Sequence, residues 1–143
     1  MTVPAVNWLA VIAAAVVMFI LGGLWYSPVL FARRWIALQG RTEEQERAQA
    51  AAANMPVMYA SAFGCALITA IIMAHILVHM AAIMPSGAVH GAFFGLMAWL
   101  GFAAPTSYAT TLFSGRPKQL WLIDSMYNLV SFVLAGLILA AWR

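Results

Sequence analysis

Three histidines, one acid in an apolar stretch and a run of hydroxyls are the residues of this sequence with chemistry to offer. His75 and His79 stand four apart, so on a helix they share a face, and His90 lies early in the next apolar segment. Counted from Pro85 in the turn between them, His79 and His90 reach similar depth in an antiparallel helix pair. Three imidazoles are a ligand set for Zn or Cu and, less readily, for haem iron; Met73, Met80 and Met84 add soft donors nearby. The plainer reading has these imidazoles bonding between helices or facing water at a membrane rim, because no carboxylate in that half orients them as ligands. No cofactor is therefore expected, with Zn, Cu or haem as the alternative.

Asp124, Tyr127, Asn128 and Ser131 follow the i, i+3, i+4, i+7 pattern and give the last apolar segment one polar face. An acid within a span is costly, and marks either a proton or cation site or an internal ion pair. Asp124 sits close enough to the segment's start to pair with Arg116, Lys118 or an arginine further upstream. Thr106, Ser107, Thr110 and Thr111 follow Pro105 at the end of the preceding segment. Pro105 lacks a backbone donor, so a kink is expected, with the hydroxyls or a neighbouring helix covering the freed carbonyls. This polar end and the Asp124 face belong at one depth, as a small cavity or as interhelical glue.

Two further rows are made for packing. Gly87, Gly91 and Gly95 recur every fourth residue, which lets a second helix approach closely, within the fold or in a dimer. In the second apolar segment Ser61, Gly64, Cys65, His75 and His79 fall on one arc with Thr69 at its edge, a stripe expected to face other helices rather than lipid. Cys65, the single cysteine, excludes an internal disulfide and a cysteine-built zinc site.

The elements that position these residues follow from composition. Of 143 residues, 65% are hydrophobic and 8% charged, against roughly 45–50% and about 25% in a soluble domain. That balance excludes a soluble enzyme, a disordered chain and a nucleic-acid-binding domain; the net charge of +3 is a topology signal. Four stretches, at about 6–26, 57–80, 88–113 and 119–142, are long and apolar enough for a bilayer. They do not alternate, so they are helices rather than barrel strands. The first has no basic flank and runs into Trp25-Tyr26-Ser27-Pro28, which suits a retained span better than a cleaved signal peptide.

Every Lys and Arg except Arg143 lies in the loops after the first and third spans. The positive-inside rule puts those loops in the cytoplasm and both termini outside. Trp8 and Trp142 then mark the outer interface, and Trp25, Tyr26 and Trp121 the inner one. The first loop carries a helical insert over about 29–55: an interfacial stretch through Leu38, then a helix from Glu43 opened by the capping-box spacing of Thr42 and Gln45. Pro56 suits the first turn of the second span. Leu21-Gly22 before Pro28 and Leu100-Gly101 before Pro105 form a faint parallel echo between the first and third spans.

The segments Leu21-Gly22-Gly23-Leu24-Trp25-Tyr26-Ser27-Pro28-Val29-Leu30-Phe31, Asn7-Trp8-Leu9-Ala10-Val11, Trp99-Leu100-Gly101-Phe102 and Leu112-Phe113-Ser114-Gly115-Arg116-Pro117 resemble the bacterial membrane proteins of the domain of unknown function 1761 family. The resemblance covers nearly the whole chain and implies a four-helix membrane domain in a bacterial cell. It brings no activity with it. Members often carry an amide where this chain has Asp124, which argues against an essential acid there.

The expected protein is all-α, a polytopic membrane protein of one domain, with four transmembrane helices and a short cytoplasmic insert. It sits in a bacterial inner membrane with both termini outside the cytoplasm. No Gly-rich phosphate loop, zinc-protease motif or serine elbow appears, and no extramembrane segment is large enough for a catalytic site. The expected role is a non-enzymatic structural or interaction component whose partners are the lipid bilayer and other membrane proteins or copies of itself, with no nucleic acid. The alternatives are a small proton- or cation-coupled transporter or channel subunit, and a metal- or haem-binding protein.

Overall fold

The computed structural model describes residues 5–143, and every regular element among them is helical. In chain order these are α1 (Trp8–Trp25), α2 (Ala32–Leu38), α3 (Glu43–Ala52), α4 (Met55–His79), α5 (Ala88–Ala98), α6 (Ala104–Phe113) and α7 (Lys118–Ala141). A π-turn, Trp99–Ala103, joins α5 to α6 without breaking the rod. The four rods Trp8–Trp25, Met55–Ala82, Ala88–Phe113 and Lys118–Ala141 are long and apolar enough to cross a membrane.

Helix ends are set by the residues at them. Asn7 accepts from the amides of Leu9 and Ala10 to start α1. Thr42 and Gln45 form the reciprocal capping box that opens α3, and Pro56 stands in the first turn of α4. Asn7 also donates its amide N–H to the Trp142 carbonyl at 2.8 Å, so the beginning of α1 and the end of α7 meet at one end of the molecule. There Arg143 donates to the carbonyls of Leu77 (3.0 Å) and Pro85 (3.3 Å), which ties down the α4–α5 connection.

The interior is built from small residues. α1 packs on α4 and α7 through Ala10, Val11, Ala14 and Ala15, and α4 answers with Ala66, Ala70 and Ala74 at every fourth position, all buried. In lipid, such rows gain by letting two backbones approach, not by expelling water. α7 is the hub that α1, α4, α5 and α6 all touch. Its contact with α5 is the most intimate. A methyl on Gly91 would overlap the Gly136 carbonyl, and one on Gly95 would overlap the Phe132 carbonyl and lie 2.9 Å from Val133 Cα. The glycine row is therefore consumed inside the fold: Gly91 and Gly95 take α7, and the Gly87 amide donates to the Ala140 carbonyl at 3.4 Å. It is not free to form a dimer contact.

The stripe on α4 departs from expectation. Ser61, Cys65, His75 and His79 are exposed, and Gly64 and Thr69 are half-buried. Alanine, having the smaller side chain, wins the contact with α1, which turns this arc outward. α4 and α5 scarcely pack on each other, and between them runs an apolar cleft of about 730 Å³ that includes Ile68, Ile72, Ile76, Met97 and Phe102, with Phe132 of α7 among its walls. The two echo prolines have different settings. Pro28 lies in the turn after α1, whereas Pro105 opens α6 inside a continuous rod.

Candidate functional site

Asp124 lies near the start of α7, half-buried, and it is the acid around which polar groups gather. Its Oδ1 accepts from the Tyr26 hydroxyl at 2.7 Å and from the Trp35 indole N–H at 2.9 Å. Tyr26 is there because it caps the end of α1, where its amide donates to the Gly22 carbonyl. Trp35 is there because the chain turns back after Ser27-Pro28 and lays α2 against α7, with Arg34 donating to Gln119 at 3.2 Å. Around the carboxylate, the Tyr26 ring meets Trp35 at 5.5 Å and Tyr127 at 5.6 Å, both edge to face. Trp25 donates to the Ile123 carbonyl at 3.1 Å, and Tyr127 to the Met18 carbonyl at 3.2 Å.

Among the described residues no cation pairs with Asp124. The ion pairs among the described residues are Arg41–Glu46 and Arg47–Glu43, while Arg116 and Lys118 are exposed. The expected ion pair to Arg116, Lys118 or a first-loop arginine is replaced by two neutral donors. These place the charge near the end of the bundle without the cost of desolvating a second ion. Tyr26 and Trp35 were not foreseen as partners of the acid. Tyr26 sits in an interfacial aromatic pair, and Trp35 reaches Asp124 only through the reversal at Pro28.

The hydroxyl run turns inward on its own helix. Thr106, Ser107, Thr110 and Thr111 donate to the carbonyls of Phe102, Ala103, Thr106 and Ser107, each four residues back. The first two cover the stretch loosened by the π-turn ahead of Pro105, where a missing N–H has freed the backbone. Ser107 also accepts from the Trp121 indole at 3.0 Å, and Trp99 donates to the Ser125 carbonyl at 2.9 Å. These are bonds between helices. A cavity of about 460 Å³ beside Tyr127 is lined by Phe19, Gly22, Tyr26 and Tyr59; another of about 360 Å³ beside Trp121 is lined by Tyr108 and Lys118. Ser131 is buried with its hydroxyl unpartnered, and Asn128 is half-buried and not bonded to Asp124.

His75, His79 and His90 are all exposed, and no three His, Cys, Asp or Glu side chains converge as a metal site among the described residues. His75 Nδ1 lies 2.8 Å from the Ile71 carbonyl, and His79 Nδ1 2.7 Å from the His75 carbonyl. A carbonyl only accepts, so both Nδ1 atoms carry a proton, and in the neutral ring it is Nε2 that offers the lone pair.

Within this frame a family profile described as protein of unknown function (DUF1761) matches residues 9–140, from the first turn of α1 to the last turn of α7. The chain belongs to the DUF1761 family. No curated protein and no solved structure matches this DUF1761 chain. It is a multi-pass, all-helical membrane protein.

Proposed function

We propose that this DUF1761 protein is a non-enzymatic component of a bacterial inner membrane that works by self-association, with α4 of one copy packed along α4 of a second. Both termini lie outside the cytoplasm and the arginine-bearing loops inside it. One observation carries the reading. Ser61, Cys65, Ile68, Ile72, His75 and His79 recur at alternating steps of four and three, and every one of them is exposed. That is the 3.5-residue repeat of a helix–helix seam, rich in small and polar residues that lipid does not favour. Two copies inserted in the same sense pair it isologously, like residue on like residue. By contrast, Asp124, Tyr127 and the Thr106–Thr111 hydroxyls are all engaged within the fold.

Cys65, the single cysteine, tests the seam directly. Mild oxidation of membranes holding the intact chain is expected to yield a disulfide-linked dimer, since isologous packing brings the two thiols within bonding range. Phe113→Cys in a Cys65→Ser background, on a fully exposed position of α6, is expected to yield none. A dimer from the Phe113 position alone, or Cys65 bonded only to a different polypeptide, overturns self-association through α4.

A second reading is favoured by the free Nε2 atoms of His75 and His79. In the paired state two copies offer four such imidazoles along one seam, a ligand set for Zn or Cu that neither copy has alone.

A further inference from the structure

The two turns at the basic end of the molecule meet in a polar cavity that neither the acid nor the α4 seam accounts for. Gly40 ends α2 with φ +69°, and Gly115 ends α6 with φ +66°, left-handed conformations that glycine adopts without strain. Each is followed by an arginine, and both arginines line the same cavity of about 440 Å³. Leu38 and Leu120 contribute apolar wall, and Leu120 is itself buried. Gln39 also lines it, and its Nε2, shielded from solvent, has no hydrogen-bond partner.

An unpartnered buried donor in a cavity that two arginines line is an arrangement that lacks an acceptor. Glu46 engages one Arg41 nitrogen at 3.0 Å and leaves its other N–H groups without a partner among the described residues. Arg116 has no ion pair among the described residues; its backbone amide donates to the Thr111 carbonyl. Guanidinium forks match the oxygens of phosphate in pairs. The cavity lies at the end of the spans where Trp25, Tyr26 and the basic residues other than Arg143 gather, the level at which phosphate headgroups lie and where basic pockets hold anionic lipids.

We infer that this cavity binds a net-negative phosphate group between Arg41 and Arg116, with Gln39 Nε2 donating the third contact. The same chemistry is offered by an anionic lipid headgroup and by free phosphate. The site needs one chain only and stands whether or not α4 self-associates.

The test uses the full chain in neutral detergent, with the unfolding midpoint followed by tryptophan fluorescence. Its probes are a short-chain phosphatidylglycerol, the matching phosphatidylcholine and inorganic phosphate. A saturable rise with phosphatidylglycerol and none with phosphatidylcholine is expected; a rise with inorganic phosphate as well assigns the site to the free anion. Arg116→Gln removes no side-chain bond of the fold and is expected to weaken the apparent affinity about tenfold, one charge-assisted contact's worth. Gln39→Leu, which deletes an unpartnered group, weakens it too, and Glu46→Gln, which releases Arg41, strengthens it. No saturable response to either anion overturns the inference, as does unchanged affinity in both Arg116→Gln and Gln39→Leu at unchanged midpoint without ligand.

Discussion

Trp35 donates its indole N–H to Asp124 at 2.9 Å, and this bond fastens a helix lying outside the spans to the acid within one. The oxygen it uses is shared with Tyr26 at 2.7 Å, so α1, α2 and α7 are joined at one atom. Because both donors are neutral, the acid is satisfied without any of the basic loop residues. Those arginines keep their charge for the interface, and the cavity between Arg41 and Arg116 depends on that.

Substitution at Asp124 separates acceptor from charge. Asp124→Asn retains an oxygen that accepts from both Tyr26 and Trp35 and is expected to leave thermal stability in detergent within about 1 kcal/mol of the wild type. Asp124→Ala strands two donors and is expected to cost about 1–3 kcal/mol. Proton or cation flux into liposomes that is present in the wild type and lost in Asp124→Asn would point to a transporter instead.

Trp35→Phe keeps the ring and removes the donor. α2, which buries no residue fully, then loses its bond to Asp124 and is left with the exposed Arg34–Gln119 bond to α7. The turn at Gln39-Gly40 is expected to be cut several-fold faster in limited proteolysis, while the far end, held by Asn7 and Arg143, keeps its protection.

Local signals were legible in the sequence and remote pairings were not. The spans follow from hydropathy, and the start of α3 from Thr42 and Gln45, three residues apart and needing nothing else. Asp124 stood out as an anomaly, but its partners depend on a chain reversal that no periodicity announces. Within one copy the α4 stripe lies on the uncovered face for a physical reason. In a helix apolar on all sides, polarity does not tell the covered face from the uncovered one; the size of the side chain does, and Ala66, Ala70 and Ala74 were the better guide. The same rule would have paired Gly91 and Gly95 with Gly136 and Ala140, four apart on α7.

Metal addition distinguishes the two readings of the α4 seam. If His75 and His79 of two copies share an ion, Zn²⁺ is expected to raise the dimer fraction in light scattering, and His79→Ala to abolish the rise. His90→Ala, on a different helix, is expected to leave it intact. A Zn²⁺ effect that survives His75→Ala and His79→Ala together would sink the bridging role.

The glycines supply a prediction in which the same substitution has opposite signs at different places in the fold. A methyl on Gly91 or Gly95 drives into the α7 backbone, which cannot rotate away as a side chain does, so each alanine variant is expected to lose about 1–3 kcal/mol. Gly23, near the end of α1, has nothing within 4 Å of where its Cβ would sit. There alanine only improves helix propensity, and Gly23→Ala is expected to stabilise by about 0.5–1 kcal/mol. The contrast, read as unfolding midpoints in one detergent, isolates the α5–α7 contact from any general effect of changing glycine. If Gly91→Ala and Gly23→Ala shifted the midpoint equally, α5 and α7 would have to lie further apart than their backbones do here, and the hub position of α7 would fail with them.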